Sequence, residues 1–388
     1  MSGKWHMARL GDCCKVVSGA TPKTVNPEFW DGEIKWVTPK DISRLDVPYL
    51  TDTPDKITLK GFASCSTNML PKGTVMVSSR APIGNVAICG DEMCTNQGFK
   101  SLIPGVGVDS LYLYFCMKKY SERLAALGNG ATFKEVSKSI VEDFEIPLPP
   151  LEEQKRIAAI LDKAGSLRRK RQQAIQLADE FLRAVFLDMF GDPVANPKGW
   201  EMFPLGDLCS IRRGASPRPI NDFLGGTVPW IRIGDATSGD DLYITETAKH
   251  VTEPGAAKSV RLHPGAFVFA NCGVSLGFAR ILKIEGCIHD GWLAFEDFSK
   301  SIDQFYLLAL INILTPTLRR MAPDGTQPNL NIGIMKALEI PLPPIEQQRH
   351  FSIIFTKAKQ LKGKFQGMVE EADRLFGSTQ DEFFGRHG

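Results

Sequence analysis

"EIPLPPLEEQKRIAAILDKA" occupies residues 145–164, and "EIPLPPIEQQRHFSIIFTKA" occupies residues 339–358. Eleven of the twenty positions are identical, at a constant offset of 194 residues. Pro147, Pro149 and Pro150 cannot lie inside a helix, because proline lacks a donor and biases its neighbour to extended geometry. Glu152 and Glu153 then stand in a first helical turn, where carboxylates favour the positive end of the dipole. The stretch reads as a stiff exit from a folded unit followed by a helix start. The chain carries it twice, half a chain apart.

The first helix meets no stop until Gly191-Asp192-Pro193, so it is expected to run to about Phe190. At 1.5 Å per residue that is roughly 57 Å. Ile157, Ala164, Arg171, Ala178 and Val185 recur every seven residues, and Ile160, Leu167, Ala174 and Phe181 lie three further on. In the second copy Phe351, Ala358 and Phe365 repeat the first set, and Ile354, Leu361 and Met368 repeat the second. A seven-residue apolar period predicts coiled-coil helices with these residues at the seam. A unit of about 150 residues is only about 30–40 Å across, so a helix lying on its own unit would cover only part of the stripe. A helix that leaves one unit and ends at the next, met by a copy running back, predicts an antiparallel pair with pseudo-two-fold symmetry. Gly363 and Gly367 fall on the outward side of the second helix.

The repeat extends upstream of both hinges. "ARLGDCCKVVSGATPK" (8–23) faces "FPLGDLCSIRRGASPR" (203–218), and Trp36 and Asp41 face Trp230 and Asp235. "LPKGTVMVSSRAPIG" (70–84) faces "LHPGAFVFANCGVSLG" (262–277), and "GATF" (130–133) lies near "DGTQ" (324–327). Residues 44–68 and 237–260 share almost nothing. A constant frame with divergent loops suggests one fold tuned for two targets. "EIKWV" (33–37) and the Gly/Pro-broken run 73–89 predict strands, and apolar helices are expected near 110–127 and 303–320. Each unit is therefore α+β. The expected boundaries are a unit at 1–150, a long helix at 151–190, a second unit at 191–344, and a second long helix with its tail at 345–388.

Composition excludes several classes. No run of 18 apolar residues exists, so no membrane span is expected. The N-terminus lacks a signal pattern, which points to the cytoplasm. Nine cysteines form no CxxC pair and read as reduced thiols, with no metal site. The formal net charge is only +2, so any basic surface must be local. There is no G-x-x-x-x-G-K-[ST] loop, no H-E-x-x-H and no Asn-Pro-Pro-aromatic tetrapeptide. His289-Asp290 reads as a local structural contact, and no catalytic constellation appears.

The doubled "IPLPPLEEQKRIAAILDKA" and "IPLPPIEQQRHFSIIFTKA", the "LGD" starts at 10–12 and 205–207, and "FGDPVANPKGW" (190–200) resemble the DNA-specificity subunit of type I restriction–modification systems. The resemblance covers essentially the whole chain and implies two target-recognition domains alternating with two long helices. It implies a chain with no catalysis of its own that reads a two-part sequence of double-stranded DNA with an unspecified gap. It further implies two modification (methyltransferase) subunits that use S-adenosylmethionine, and restriction subunits that use ATP and Mg. No cofactor is expected on this chain. A self-contained methyltransferase or nuclease, and a protein-interaction adaptor, are the alternative readings.

Phosphate contacts need Lys, Arg and backbone N–H groups, and base reading needs Arg, Lys, Asn or Gln at loop tips. In the first unit Thr21, Lys23, Lys40 and Arg80 are the candidates. Arg212, Arg213, Arg218, Arg232 and Asn271 occupy the corresponding regions of the second. "TNQGFK" (95–100) could also read bases, although Asn96 and Gln97 are read here as satisfying buried backbone. "RRKR" (168–171) is either a solvated helix face or a track for phosphate or an acidic partner.

Overall fold

The computed structural model describes residues 5–80, 82–130, 134–236, 242–273, 275–321 and 329–385. The repeat partners at 131–133 and 324–327 lie outside these. The chain divides into two compact units, Met1–Arg171 with Met368–Gly388, and Gln172–Gly367. Both cuts fall inside the long helices; the first unit is closed by a chain segment far away in sequence, while the second is one continuous stretch.

Each unit is built on one plan. In the first, a five-stranded sheet runs in the order Cys14–Ser18, Phe99–Pro104, Val75–Ser78, Val86–Cys89 and Tyr49–Leu50. In the second the order is Ser210–Arg213, Trp292–Glu296, Phe267–Ala270, Ala279–Leu282 and Tyr243–Ile244. All neighbours are antiparallel except the last pair of each sheet. Side chains alternate across a strand, and both faces are buried. Val75 and Val77 enter one core with the helix Ser110–Lys119, while Met76 enters the core on the opposite face. Phe267 and Phe269 against Val268 and Ala270 repeat this division, with the helix Gln304–Met321 on the first side. A smaller sheet centred on Trp30–Val37, or on Leu224–Ile231, belongs to each unit.

The proline hinge is a polar lock. Glu145–Pro147 pairs with Met7–Arg9, and Glu339–Pro341 pairs with Met202–Pro204. Tyr112 Oη donates to Pro147 O at 2.7 Å, and Tyr306 Oη donates to Pro341 O at 2.7 Å. Gln154, fully buried, accepts from Asp109 N at 2.9 Å and donates to Gly107 O and Pro149 O at 2.9 and 2.8 Å. Gln348 accepts from Asp303 N at 2.8 Å and donates to Ser301 O and Pro343 O at 3.0 and 2.7 Å. A buried amide satisfied at both ends explains why the hinge motif needs a glutamine: unpaired, each buried polar group would cost about 1–3 kcal/mol.

The long helices span Leu151–Phe190 and Ile345–Phe384. Within the first unit they run antiparallel: Arg168 Nη1 lies 3.3 Å from Asp373 Oδ1, and Arg171 Nη1 donates to Met368 O at 2.7 Å. Within the second, Lys362 Nζ lies 2.6 Å from Asp179 Oδ2, and the Phe186 and Phe351 rings are 5.4 Å apart. Lys362 and Asp373 each sit 194 residues beyond Arg168 and Asp179, so the two ion pairs are counterparts. A Cβ at Gly363 or Gly367 would meet nothing within 4 Å.

The expected seam residues Ile160, Ala164, Leu167 and Met368 line one cleft between the helices, but the stripe is only partly enclosed. Ile157 and Phe351 are fully buried, but in the cores of the globular units. Val185 and Ala358 also pack on a core. Ala164, Ala174, Ala178, Ile354 and Phe365 are half-buried. Ile160, Leu167, Phe181, Leu361 and Met368 remain 39–52% exposed. Two helices cannot enclose a stripe wider than their line of contact. The buried helix residues are instead those set against a sheet-backed core: Leu161, Leu182, Phe186, Phe190, Phe355 and Phe384.

Candidate nucleic-acid interface

Three segments meet around one turn in each unit. The loop after the first strand is pressed against the turn by a glycine. A Cβ on Gly19 would lie 2.1 Å from Asn96 O, and one on Gly214 would lie 2.3 Å from His289 O. Ala20 N donates to Thr95 O at 3.0 Å and Ala215 N to Ile288 O at 3.1 Å. The turn is pinned from the small sheet by Asn96 N to Val37 O at 3.0 Å, and by His289 N to Ile231 O at 3.2 Å. It is pinned from the large sheet by Ser79 N to Gly98 O at 2.7 Å, and by Asn271 N to Gly291 O at 3.0 Å. Inside the turn, Gly98 N donates to Asn96 Oδ1 at 2.8 Å and Gly291 N donates to His289 Nδ1 at 2.8 Å. The small-sheet segment continues into Thr38, whose N–H donates to Asp41 Oδ2 at 2.6 Å, or Arg232, whose N–H donates to Asp235 Oδ2 at 2.7 Å.

The first-unit candidates gather around this turn. Thr21 Oγ1 donates to Gln97 Oε1, and Lys23 is exposed two residues further on. Lys40 is exposed on the short helix Pro39–Ser43, whose Pro39 ring abuts Gly98. Arg80, adjacent to Ser79, is paired with Glu135 at 3.1 Å; buried Lys100 approaches the same carboxylate at 3.4 Å.

In the second unit Arg213 Nε donates to Asp290 O at 2.7 Å, and Arg218 Nη2 lies 3.4 Å from Asp290 Oδ2. Arg232 follows directly on Ile231, which holds the turn. Two candidates fall elsewhere. Arg212 precedes Arg213 on a strand, so it points to the opposite face and pairs with Glu296. Asn271 is fully buried, its Nδ2 donating to Asn329 Oδ1 at 3.3 Å, and it cannot reach a ligand. Three members of "RRKR" are engaged internally: Arg168 with Asp373, Arg169 with Asp46 O and Arg171 with Met368 O.

The electrostatics of the second turn are set by burial and by these cations. Burial lowers the His289 pKa, holding the ring neutral at neutral pH. Burial opposes the Asp290 carboxylate, yet the Ser216 hydroxyl, a backbone hydrogen bond and the Arg218 guanidinium keep its pKa below the ordinary value. Sequence reasoning misplaced Gln97. Asn96 does satisfy the backbone, but Gln97 stands exposed at the tip. The signal was Gly98, which closes the turn and leaves residue 97 outside it. Among the described residues no group of three or more His, Cys, Asp and Glu side chains could hold a metal ion. No described helix is long and apolar enough to cross a membrane.

A doubled fold carrying a matched, partly basic loop cluster in each copy suits a sequence reader, and comparison with known proteins identifies the class. The family model described as "Type I restriction modification DNA specificity domain" matches residues 2–177 and 197–364. The chain is 31% identical over 391 positions to the type I restriction enzyme MjaIX specificity subunit of Methanocaldococcus jannaschii, covering 92% of this chain and 89% of that one. It is 29% identical over 172 positions to the EcoR124I/EcoR124II specificity subunit of Escherichia coli, covering 42% of each. The crystal structure of the type I restriction–modification S subunit from M. genitalium matches in fold, with a TM-score of 0.65 at 17% identity over 98% of this chain and 96% of that one. The chain belongs to the type I restriction–modification DNA-specificity family. It is a specificity subunit, a non-catalytic component whose complex carries its activity in other subunits.

Proposed function

We propose that the chain reads a bipartite sequence of double-stranded DNA, one part with each unit, separated by bases it leaves unread. The observation that carries this reading is the pair of matched turns: the same backbone bonds hold each turn, while the side chains at the tips differ. In this reading Lys23, Lys40, Arg80, Arg213, Arg218 and Arg232 supply phosphate and base contacts. The chain docks two modification subunits that use S-adenosylmethionine, and restriction subunits that use ATP and Mg join the same assembly in the cytoplasm. The chain itself needs no cofactor.

The test is selection from random-sequence duplexes followed by sequencing of the bound fraction. Two short specified blocks with a fixed unspecified gap are expected, their centres about 34–36 Å apart or slightly more. One contiguous block, or no enrichment at all, would sink the proposal. Methyl transfer by the purified chain with S-adenosylmethionine alone would reopen the enzyme reading.

A further inference from the structure

Gln97 and Asp290 occupy one structural position. Each follows the residue that closes its turn and precedes the glycine that receives the closure. Each is hydrogen-bonded by the hydroxyl of the preceding loop: Thr21 Oγ1 donates to Gln97 Oε1, and Ser216 Oγ donates to Asp290 Oδ1 at 2.5 Å. Three long-range backbone bonds fix each turn, from the first loop, the small sheet and the large sheet. Everything beneath this position is therefore the same in the two units, and the side chain on it is not.

We propose that this position sets the difference between the two half-sites at one matched base: Gln97 reads adenine in the first, and Arg218, oriented by Asp290, reads guanine in the second. The assignment rests on the reading of the chain as a DNA sequence reader. Gln97 is exposed and carries a donor and an acceptor in one plane, the pair that adenine N7 and N6 require. Its Oε1 accepts from Thr21 and keeps a second lone pair for the adenine amino group. Asp290 only accepts, and both oxygens are engaged, Oδ1 by Ser216 and Oδ2 by Arg218 at 3.4 Å. Its carbonyl also takes Arg213 Nε at 2.7 Å. Asp290 is thus a positioning residue. The group it presents is the Arg218 fork, whose side chain is 79% exposed and whose two donors fit guanine O6 and N7. The first unit has Lys23 in the place of Arg218 and no carboxylate at 97, so no such fork is presented there.

The test is duplex selection with the full-length chain, alone and with its modification subunits, for the wild type and for Gln97→Ala, Asp290→Ala, Asp290→Asn and Arg218→Ala. Melting curves check that each variant folds. Gln97→Ala is expected to lose an adenine preference of on the order of tenfold at a single position of one half-site, leaving the other half-site unchanged. Asp290→Ala and Arg218→Ala should lose the same guanine in the other half-site. Asp290→Asn keeps one acceptor oxygen where Asp290 has two and sets an NH2 donor in place of the other, so it should retain only part of that preference. A uniform loss of affinity with base preferences intact, or changes at different bases for Asp290→Ala and Arg218→Ala, would overturn the assignment while leaving the chain a reader. A wild-type chain that enriches no site would overturn the reader and the assignment together.

Discussion

The hinge and the reading turn are both duplicated, and the copies diverge in opposite ways. At the hinge the duplication holds to the hydrogen-bonding atom: Gln154 and Gln348 each bond one N–H and two carbonyls at matching positions, and Tyr112 and Tyr306 each cap a proline carbonyl. At the turn only the backbone is duplicated. Asn96 and His289 do the same work with different chemistry, and Gln97 and Asp290 share only a position. Where a side chain is buried and fully bonded, geometry dictates its identity. Where it projects from a rigid turn, the fold is indifferent to it, and it can be set by the target.

The most severe way to break this comparison is to remove one copy. A fragment of residues 1–190 loses Phe384, which is buried in the first unit's core with its ring 5.6 Å from Tyr112. Phe190, 194 residues earlier, makes the same kind of contact with Tyr306 at 4.9 Å. A second copy of the fragment can supply Phe190 to the open core and pair its Asp179 with Arg168, the counterpart of Lys362. The fragment is therefore expected to form a two-fold dimer that selects a palindrome with an unread gap. Light scattering that finds a folded monomer would refute the pairing.

Gln154→Ala leaves Asp109 N, Gly107 O and Pro149 O without their partner and should destabilise the full chain by about 3 kcal/mol. Gln348→Ala should do the same to the second unit. Denaturant melts that match wild type would show that the glutamines do not lock the hinge. Arg232→Ala should relax one half-site and Arg80→Ala the other, each by about 1–3 kcal/mol of discrimination. Equal weakening of all duplexes would make both phosphate contacts. The smallest effect is expected from Arg171→Leu. It removes a bond to Met368 O but adds apolar surface between the helices, so the melting stability should change by less than about 1 kcal/mol. A collapse would show that this bond is required.

The hinge was readable because proline and helix-start signals are local, and because the offset of 194 repeated them. The heptad stripe was also readable, but not what covers it. Ile157 and Ile160 look alike in a list of apolar residues three apart, yet one is buried in a core and the other is 39% exposed. That outcome depends on helices and sheets distant in sequence. The turn was legible for a similar reason only in part. Whether Asn271 is buried and Gln97 is presented depends on bonds from residues 20, 37, 79 and 330, which no local pattern reveals. The alternation of Arg212 and Arg213 across a strand would have separated them from sequence once the strand was granted.

The last turn of the second long helix also sets a clock. Tyr120 Oη donates to Phe384 O at 2.6 Å, and the Trp5 ring stacks on Phe383. The core of the first unit therefore cannot close until Phe383 and Phe384 have been made. Between Arg171 and Met368 the ribosome must add nearly 200 residues, which at about 5–20 residues per second takes on the order of 10–40 s. Through that interval the apolar seat of Phe384 stays open to water and to any passing helix, including the one from a neighbouring nascent chain.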